Sequence, residues 1–278
     1  MRKTACCLPA LLLPVLAFAA PPQITRDAGG ITVSNAHYAA VISTANGSLQ
    51  RLVYTAFGEK TCLPGGMIYS DIGLLKAGSH PYFGTNTATG ATVSVATEGD
   101  RVTVSAEGLL SLEGGKQPEG AKWRYRFQYT FDATPVVRVI AGVQTDTPRP
   151  PAAGFFATTL SVAGVNEWFA DTEQGMKWVN LGPENGRCFE MHNTPLRPDR
   201  RRLGLINHDS GAVVLFDNIR TDPPGCLEDV IFHSSGTGSV TAFFNWLDGQ
   251  QQTAFEAGKW YDIRYDVSIT EQLPDSGQ

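Results

Sequence analysis

The residues best suited to acid–base chemistry lie close together in the second half of the chain. Glu190 and His192 are two positions apart, so on a β-strand they would share one face. Proton transfer needs a group that gives a proton and one that accepts it, and these two side chains can supply both. The pattern predicts a groove with Glu190 and His192 as catalytic residues and Arg187 and His208 as substrate-binding residues. The alternative is a solvated strand face with a hydrogen-bonded histidine.

Arginines are concentrated directly after this segment, at Arg197, Arg200, Arg201 and Arg202. Guanidinium groups bind carboxylates through paired hydrogen bonds, so the cluster predicts a site for an acidic, uronate-containing glycan. In a polysaccharide lyase, Arg197 or Arg200 would neutralise the uronate, and His192 would remove the C5 proton. Tyr82 would then protonate the leaving group. The alternative is a solvated loop whose arginines pair with the chain's own acidic residues.

Other residue types point to sugar chemistry more weakly. Glu190 and Glu228 would form the carboxylate pair of a glycoside hydrolase if about 5–10 Å separated them. Trp246 ends a predicted strand beside a turn, where an indole could stack on the C–H face of a sugar ring. Trp168 and Trp178 are the other candidates for such a platform.

The composition and the first residues indicate a globular, exported protein. The chain has 278 residues, 42% apolar and 18% charged, with a net charge of −5, which argues against a nucleic-acid partner. Arg2 and Lys3 precede an apolar run over 8–18 that is shorter than the roughly 20 residues of a membrane span. Small residues follow, as at a cleavage site. We predict a signal peptide at 1–19 and a secreted or periplasmic mature chain with no membrane association, whose 20 basic and 27 acidic residues give a charge of −7.

The mature chain keeps three cysteines, Cys62, Cys188 and Cys226. This odd number in an oxidising compartment allows at most one internal disulfide, which we predict between Cys188 and Cys226. The cysteine and histidine spacings match no structural zinc site, and no loop has the regular oxygen spacing of a calcium site. We therefore predict no metal and no cofactor, although isolated acidic residues could hold calcium.

Nearly every periodic segment alternates with period two, which is typical of half-buried β-strands. Over 123–131 the aromatic side chains take every odd position, and 261–269 repeats the alternation. Turn residues bound these short segments throughout the chain. The pattern predicts antiparallel sheets packed face to face or closed as a barrel, in one domain over 20–273 with a flexible tail at 274–278.

The first and last strands of this domain resemble those of the galactose-mutarotase-like superfamily. Residues 31–42 and 46–52 are similar to its opening strands, and 255–265 is similar to its final strand. The aromatic strand 123–131, followed by 136–145, resembles its paired central strands. The resemblance implies an all-β, antiparallel β-supersandwich and a carbohydrate-active protein whose partner is an oligo- or polysaccharide.

The resemblance also implies catalytic residues. Aldose epimerases carry an H-x-Y-F motif that His80-Pro81-Tyr82-Phe83 matches, although in the family it follows the paired central strands and here it precedes them. Epimerases also use a glutamate shortly before the last strands, roughly where Glu228 lies. We therefore predict acid–base chemistry on a saccharide, with a lyase favoured by the arginines over an aldose-1-epimerase-like mutarotase. A noncatalytic carbohydrate-binding or scaffold sandwich is the alternative from a different class.

Overall fold

The computed structural model describes residues 20–57, 67–70, 83–85, 88–112, 122–148, 156–180, 189–190, 201–224, 227–234, 239–246 and 255–271. The helices and strands of these ranges are all of one kind, β-strands. These ranges accordingly hold no apolar helix of membrane-spanning length.

The described strands follow one another closely along the chain. In order they are β1 Gln23–Arg26, β2 Gly30–Ser34, β3 Tyr38–Ser43, β4 Leu49–Tyr54, β5 Met67–Ser70, β6 Phe83–Gly84, β7 Thr92–Glu98, β8 Arg101–Leu109, β9 Ser111–Leu112 and β10 Trp123–Phe131. They continue as β11 Val137–Thr145, β12 Phe156–Ala163, β13 Glu167–Thr172, β14 Gly175–Asn180, β15 Phe189–Glu190, β16 Leu203–Asn207, β17 Ala212–Asp222, β18 Leu227–Ser234, β19 Ser239–Trp246 and β20 Trp260–Thr270.

The strands form three sheets in which the hydrogen-bonded neighbours run antiparallel. A four-stranded sheet has the order β1-β2-β3-β4. A nine-stranded sheet has the order β14-β13-β16-β17-β20-β11-β10-β8-β7, and a seven-stranded sheet has the order β15-β18-β19-β12-β5-β6-β9. The predicted all-β, antiparallel fold class is confirmed.

The main core lies against one face of the nine-stranded sheet. The aromatic residues at odd positions of β10 are at most 3% exposed, namely Trp123, Tyr125, Phe127, Tyr129 and Phe131. They pack with apolar residues of the four-stranded sheet and of β8, β11, β17 and β20 in one cluster. The opposite side of this sheet carries the even positions of β10, and we call it the outer face. The period-two prediction for this strand is therefore confirmed.

A tight hairpin turn at residues 99–100 joins β7 to β8. Glu98 pairs with Arg101, and Gly99 has a positive φ of 61°, a conformation that favours glycine because it has no Cβ. In contrast, the period-two pattern fails to predict β13 and β14. For β13 the reason is burial, since five of its six residues are buried and neither face of the strand is polar.

Candidate functional site

Few of the predicted site residues have a described side chain. Outside the described residues lie the six candidates His80, Tyr82, Arg187, His192, Arg197 and Arg200, together with Cys62, Cys188 and Cys226. The backbone positions of Glu190, Glu228 and Trp246 are described within strands. The register of the seven-stranded sheet therefore decides which of these three lie close together.

One end of the seven-stranded sheet brings Glu228 beside Trp246. Leu227 pairs with Trp246, whereas Asp229 pairs with Asn245, so Glu228 is the extra residue of a β-bulge. Bulges interrupt the ladder of hydrogen bonds and are common next to active sites. This placement joins a predicted catalytic residue and a predicted sugar platform that are 18 positions apart in the sequence.

The same row of paired residues continues across the sheet toward the H-x-Y-F motif. Trp246 pairs with Phe156, Phe156 with Ser70, and Ser70 with Phe83, the last residue of the motif. From β18 to β6 there are four strand spacings, or about 19 Å at about 4.8 Å each. The Glu228 bulge and the end of the motif therefore lie at one end of one sheet, separated by more than a single sugar ring.

Glu190 lies on β15, the strand next to β18, where it pairs with Ile231. Ile231 is three residues from Glu228, so the two glutamate Cα atoms are about 11 Å apart at about 3.3 Å per residue and 4.8 Å per strand. The carboxyl groups of glycosidase pairs are about 5–10 Å apart. The hydrolase pairing stays a prediction.

His208 lies at a turn of the nine-stranded sheet, whereas Glu190 and Glu228 belong to the seven-stranded sheet. It occupies the turn between β16 and β17, where its Nε2 is 3.1 Å from Oε2 of Glu167. Its backbone N–H donates to Oδ1 of Asn166 at 2.7 Å. His208 is close to Glu190 in the sequence, but β15 belongs to the seven-stranded sheet and β16 to the nine-stranded sheet. Its predicted role in substrate binding stays a prediction.

Arg202, one of the two described arginines of the cluster, has an internal partner. Arg202 donates hydrogen bonds from Nε and Nη2 to Oδ2 of Asp217, at 3.1 and 2.6 Å. For Arg202, pairing with the chain's own acidic residues is therefore the correct interpretation. A uronate site would depend on the remaining arginines of the cluster.

A second charge network crosses the outer face of the nine-stranded sheet. The side chain of Asp262 is 2% exposed and accepts from Arg126 Nε and Nη2 at 3.0 and 2.6 Å. Arg264 Nη2 lies 3.3 Å from Asp262 and 3.0 Å from Asp222. Gly142 leaves room for the carboxylate, since a Cβ there would lie 2.1 Å from Asp262 Oδ1. The network is structural, because each guanidinium already binds a carboxylate of the chain.

Two buried tyrosines and one of the predicted platform residues also have structural roles. Burial raises the pKa of Tyr54 and Tyr125, whose hydroxyls donate to backbone carbonyls of Pro135 and Asn46 at 2.7 and 2.8 Å. Trp168 is 1% exposed and lies in the main core, so its prediction as a sugar platform is wrong. In the described ranges no group of three or more His, Cys, Asp and Glu residues could hold a metal.

Comparison with known proteins finds similarity in structure only. No family model and no curated protein matches the sequence. A TPR-domain containing protein from Parabacteroides distasonis has a TM-score of 0.54 at 10% identity over 89% of this chain, which spans 48% of that protein. An aldose epimerase homologue from C. elegans has a TM-score of 0.53 at 9% identity, covering 90% of this chain and 99% of that one. A galactose 1-epimerase from Lactobacillus acidophilus has a TM-score of 0.51 at 8% identity, covering 91% and 99%. At such identities the likeness shows the fold.

Proposed function

From the galactose-mutarotase-like β-supersandwich fold of this chain, we propose that it acts on a saccharide by acid–base chemistry of the aldose-epimerase type. The observation that carries the proposal is the β-bulge that puts Glu228 beside Trp246. Two solved structures that share the fold are described as an aldose epimerase homologue and a galactose 1-epimerase. The epimerase hypothesis therefore takes precedence over the lyase, whose arginine cluster is already partly engaged at Arg202.

Interconversion of the two anomers of an aldose needs one base and one acid. The base removes the proton of the C1 hydroxyl while the acid protonates the ring oxygen, and the bond between C1 and the ring oxygen breaks to give the open aldehyde. Closure on the other side of the carbonyl reverses both proton transfers, so no co-reactant is consumed. We assign the base to Glu228 and the stacking of the sugar ring to Trp246.

We assign the acid to His192 because of the direction in which β15 runs along β18. This strand runs from Phe189, opposite Phe232, to Glu190, opposite Ile231, and thus toward the end of β18 that holds Glu228. His192 follows Glu190 by two residues in the sequence. By strand count the end of the H-x-Y-F motif is about 19 Å from β18, which favours His192 over His80 and Tyr82 as the partner of Glu228.

Polarimetry on freshly dissolved α-D-galactose and α-D-glucose tests the assignment. Glu228→Gln should slow the enzymatic change in optical rotation by at least about 100-fold, the usual contribution of a general base. Asp229→Asn, on the regular side of the bulge, is the matched control and should keep the wild-type rate. His192→Gln should be impaired and His80→Gln should not. A wild-type chain that fails to accelerate mutarotation but still binds sugar would support the noncatalytic alternative instead.

We also propose that the chain is exported, on the strength of the predicted signal peptide at 1–19. Expression of the whole chain in a bacterial host, followed by N-terminal sequencing of the periplasmic fraction, tests this proposal. A mature chain that begins at residue 20 or 21 is expected. An intact N-terminus in the cytoplasm would contradict it.

A further inference from the structure

A groove of about 690 Å³ lies on the outer face of the nine-stranded sheet, along the edge formed by β7, β8 and β10. Its volume is within the range of about 300–1,000 Å³ that is usual for ligand sites. Five hydroxyl-bearing side chains line it, namely Thr89, Thr92, Ser94, Ser105 and Ser111. The groove is in a different sheet from Glu228.

The sheet register sets the hydroxyl groups in adjacent rows. Ser94 pairs with Ser105 across β7 and β8, and Thr92 pairs with Glu107 two residues along. Within the described part of the chain, the hydroxyls of Ser94 and Ser105 hydrogen-bond to no other side chain. A hydroxyl both donates and accepts, so this wall matches a ligand whose own groups do both.

The two charged side chains of the groove neutralise each other. Arg124 Nη2 donates to Oε2 of Glu107 at 3.1 Å, and both side chains are about half exposed. Because their charges cancel, the wall attracts neither a cation nor an anion selectively, while the remaining N–H and carboxylate sites can still bind hydroxyl groups.

One apolar side chain completes the groove. Leu109, at 39% exposure, is the single exposed large hydrophobic residue among those whose side chains the structure describes, and it lines this site. It pairs in register with Arg124, so apolar and polar contacts lie side by side. The C–H face of a sugar ring can pack on such a side chain while the ring hydroxyls bind the polar wall.

We propose that this groove binds a neutral oligosaccharide. Hydroxyl groups of the ligand contact Ser94 and Ser105, a C–H face packs on Leu109, and the Arg124–Glu107 pair bridges further hydroxyls. The inference goes beyond the proposed function and does not depend on Glu228 being catalytic.

The test is ligand-observed NMR titration with cellotriose, maltotriose, laminaritriose and mannotriose at millimolar concentration. At least one of them should bind the wild-type protein. Ser94→Trp fills the groove and should weaken that binding by at least about tenfold, or about 1.4 kcal/mol. Ala96→Trp is the matched control, since Ala96 is exposed two residues further along the same edge strand and outside the groove. It should bind within a factor of about two of wild type.

Other outcomes overturn the proposal in defined ways. The groove is not a glycan site if none of the four trisaccharides binds, or if Ala96→Trp loses as much affinity as Ser94→Trp. If Ser94→Trp does not fold, Leu109→Asn replaces it at an exposed position and should also weaken binding. Glu228→Gln should leave this binding unchanged, and Ser94→Trp should leave mutarotation unchanged, so the groove and the proposed activity can fail separately.

Discussion

Replacing Gly142 by alanine should destabilise the fold, although the same change in a strand usually stabilises it. Gly142 lies on β11 opposite Asp262 of β20 and Arg126 of β10. An alanine Cβ would lie 2.1 Å from Asp262 Oδ1 and 3.2 Å from Arg126 Cγ. Because the Asp262 side chain is 2% exposed, its carboxylate cannot move aside into water without leaving its guanidinium partners.

The magnitude follows from two contributions. Overpacking of this kind costs about 1–3 kcal/mol. A hydrogen bond to a charged group contributes about 1.5–3 kcal/mol, and this figure is reduced here because Arg126 and Arg264 are about one-third exposed. We expect a loss of about 3 kcal/mol in the free energy of unfolding, or about 6–12 °C in Tm for a chain of this size.

A double-mutant cycle with Asp262→Ala tests the reasoning. Without the Asp262 carboxylate the clash disappears, so Gly142→Ala should then be neutral or stabilising by up to about 1 kcal/mol, the usual gain from replacing a strand glycine. Urea unfolding followed by tryptophan fluorescence measures each free energy. An equal effect of Gly142→Ala in both backgrounds, or a gain in the wild-type background, would refute the placement of Asp262.

Two further predictions concern stability. Burial by itself raises the pKa of Asp132, but hydrogen bonds, chiefly from Arg138, bring it below its ordinary value. The stabilisation by the Asp132 carboxylate is therefore complete above the ordinary aspartate pKa and is lost as the pH falls through the lowered pKa. The difference in unfolding free energy between wild type and Asp132→Asn should shrink below about pH 4. A constant difference down to pH 2 would contradict this prediction. Gly47 has a φ of 72°, and a Cβ there would lie 2.1 Å from the Cβ of Ala106, so Gly47→Ala should cost about 3 kcal/mol in urea unfolding. Gly99→Ala is the control, because Gly99 has a φ of 61° with open space around it and should lose only about 1–2 kcal/mol; equal losses would show that the clash does not occur.

The strands that could be predicted from the sequence are those with one face on the core and one face outside. β10 and β20 alternate because their inner side chains pack together while their outer side chains are polar. β13 does not alternate, since Trp168 enters the main core while Phe169 packs in a second apolar cluster with Ile206 and Val213. A strand covered on both sides loses the period-two signal, and no pattern of polar residues then marks it.

The candidate site was predictable by residue type but not by position. The sequence points to Glu228 and Trp246 independently, and only the bulge in the pairing of β18 with β19 joins them. Proximity in the sequence predicts that His208 and Glu190 share a site, but the chain passes from one sheet to another between them. No sequence pattern predicts the groove beside β7, because serines and threonines are ordinary on an edge strand. They form a site only because the strand register sets them side by side.

The pairing of charges on the outer face bears on the acidic-glycan hypothesis. A uronate that bound Arg126 or Arg202 would have to displace a carboxylate that the fold already holds beside each guanidinium. Displacement at Arg126 would leave the buried Asp262 short of a partner, which costs several kcal/mol when the charge is out of water. An intramolecular carboxylate also pays no translational entropy, whereas an incoming uronate does. Recognition of acidic glycans would therefore depend on Arg197, Arg200 and Arg201, while the paired arginines of the outer face are better suited to a neutral sugar.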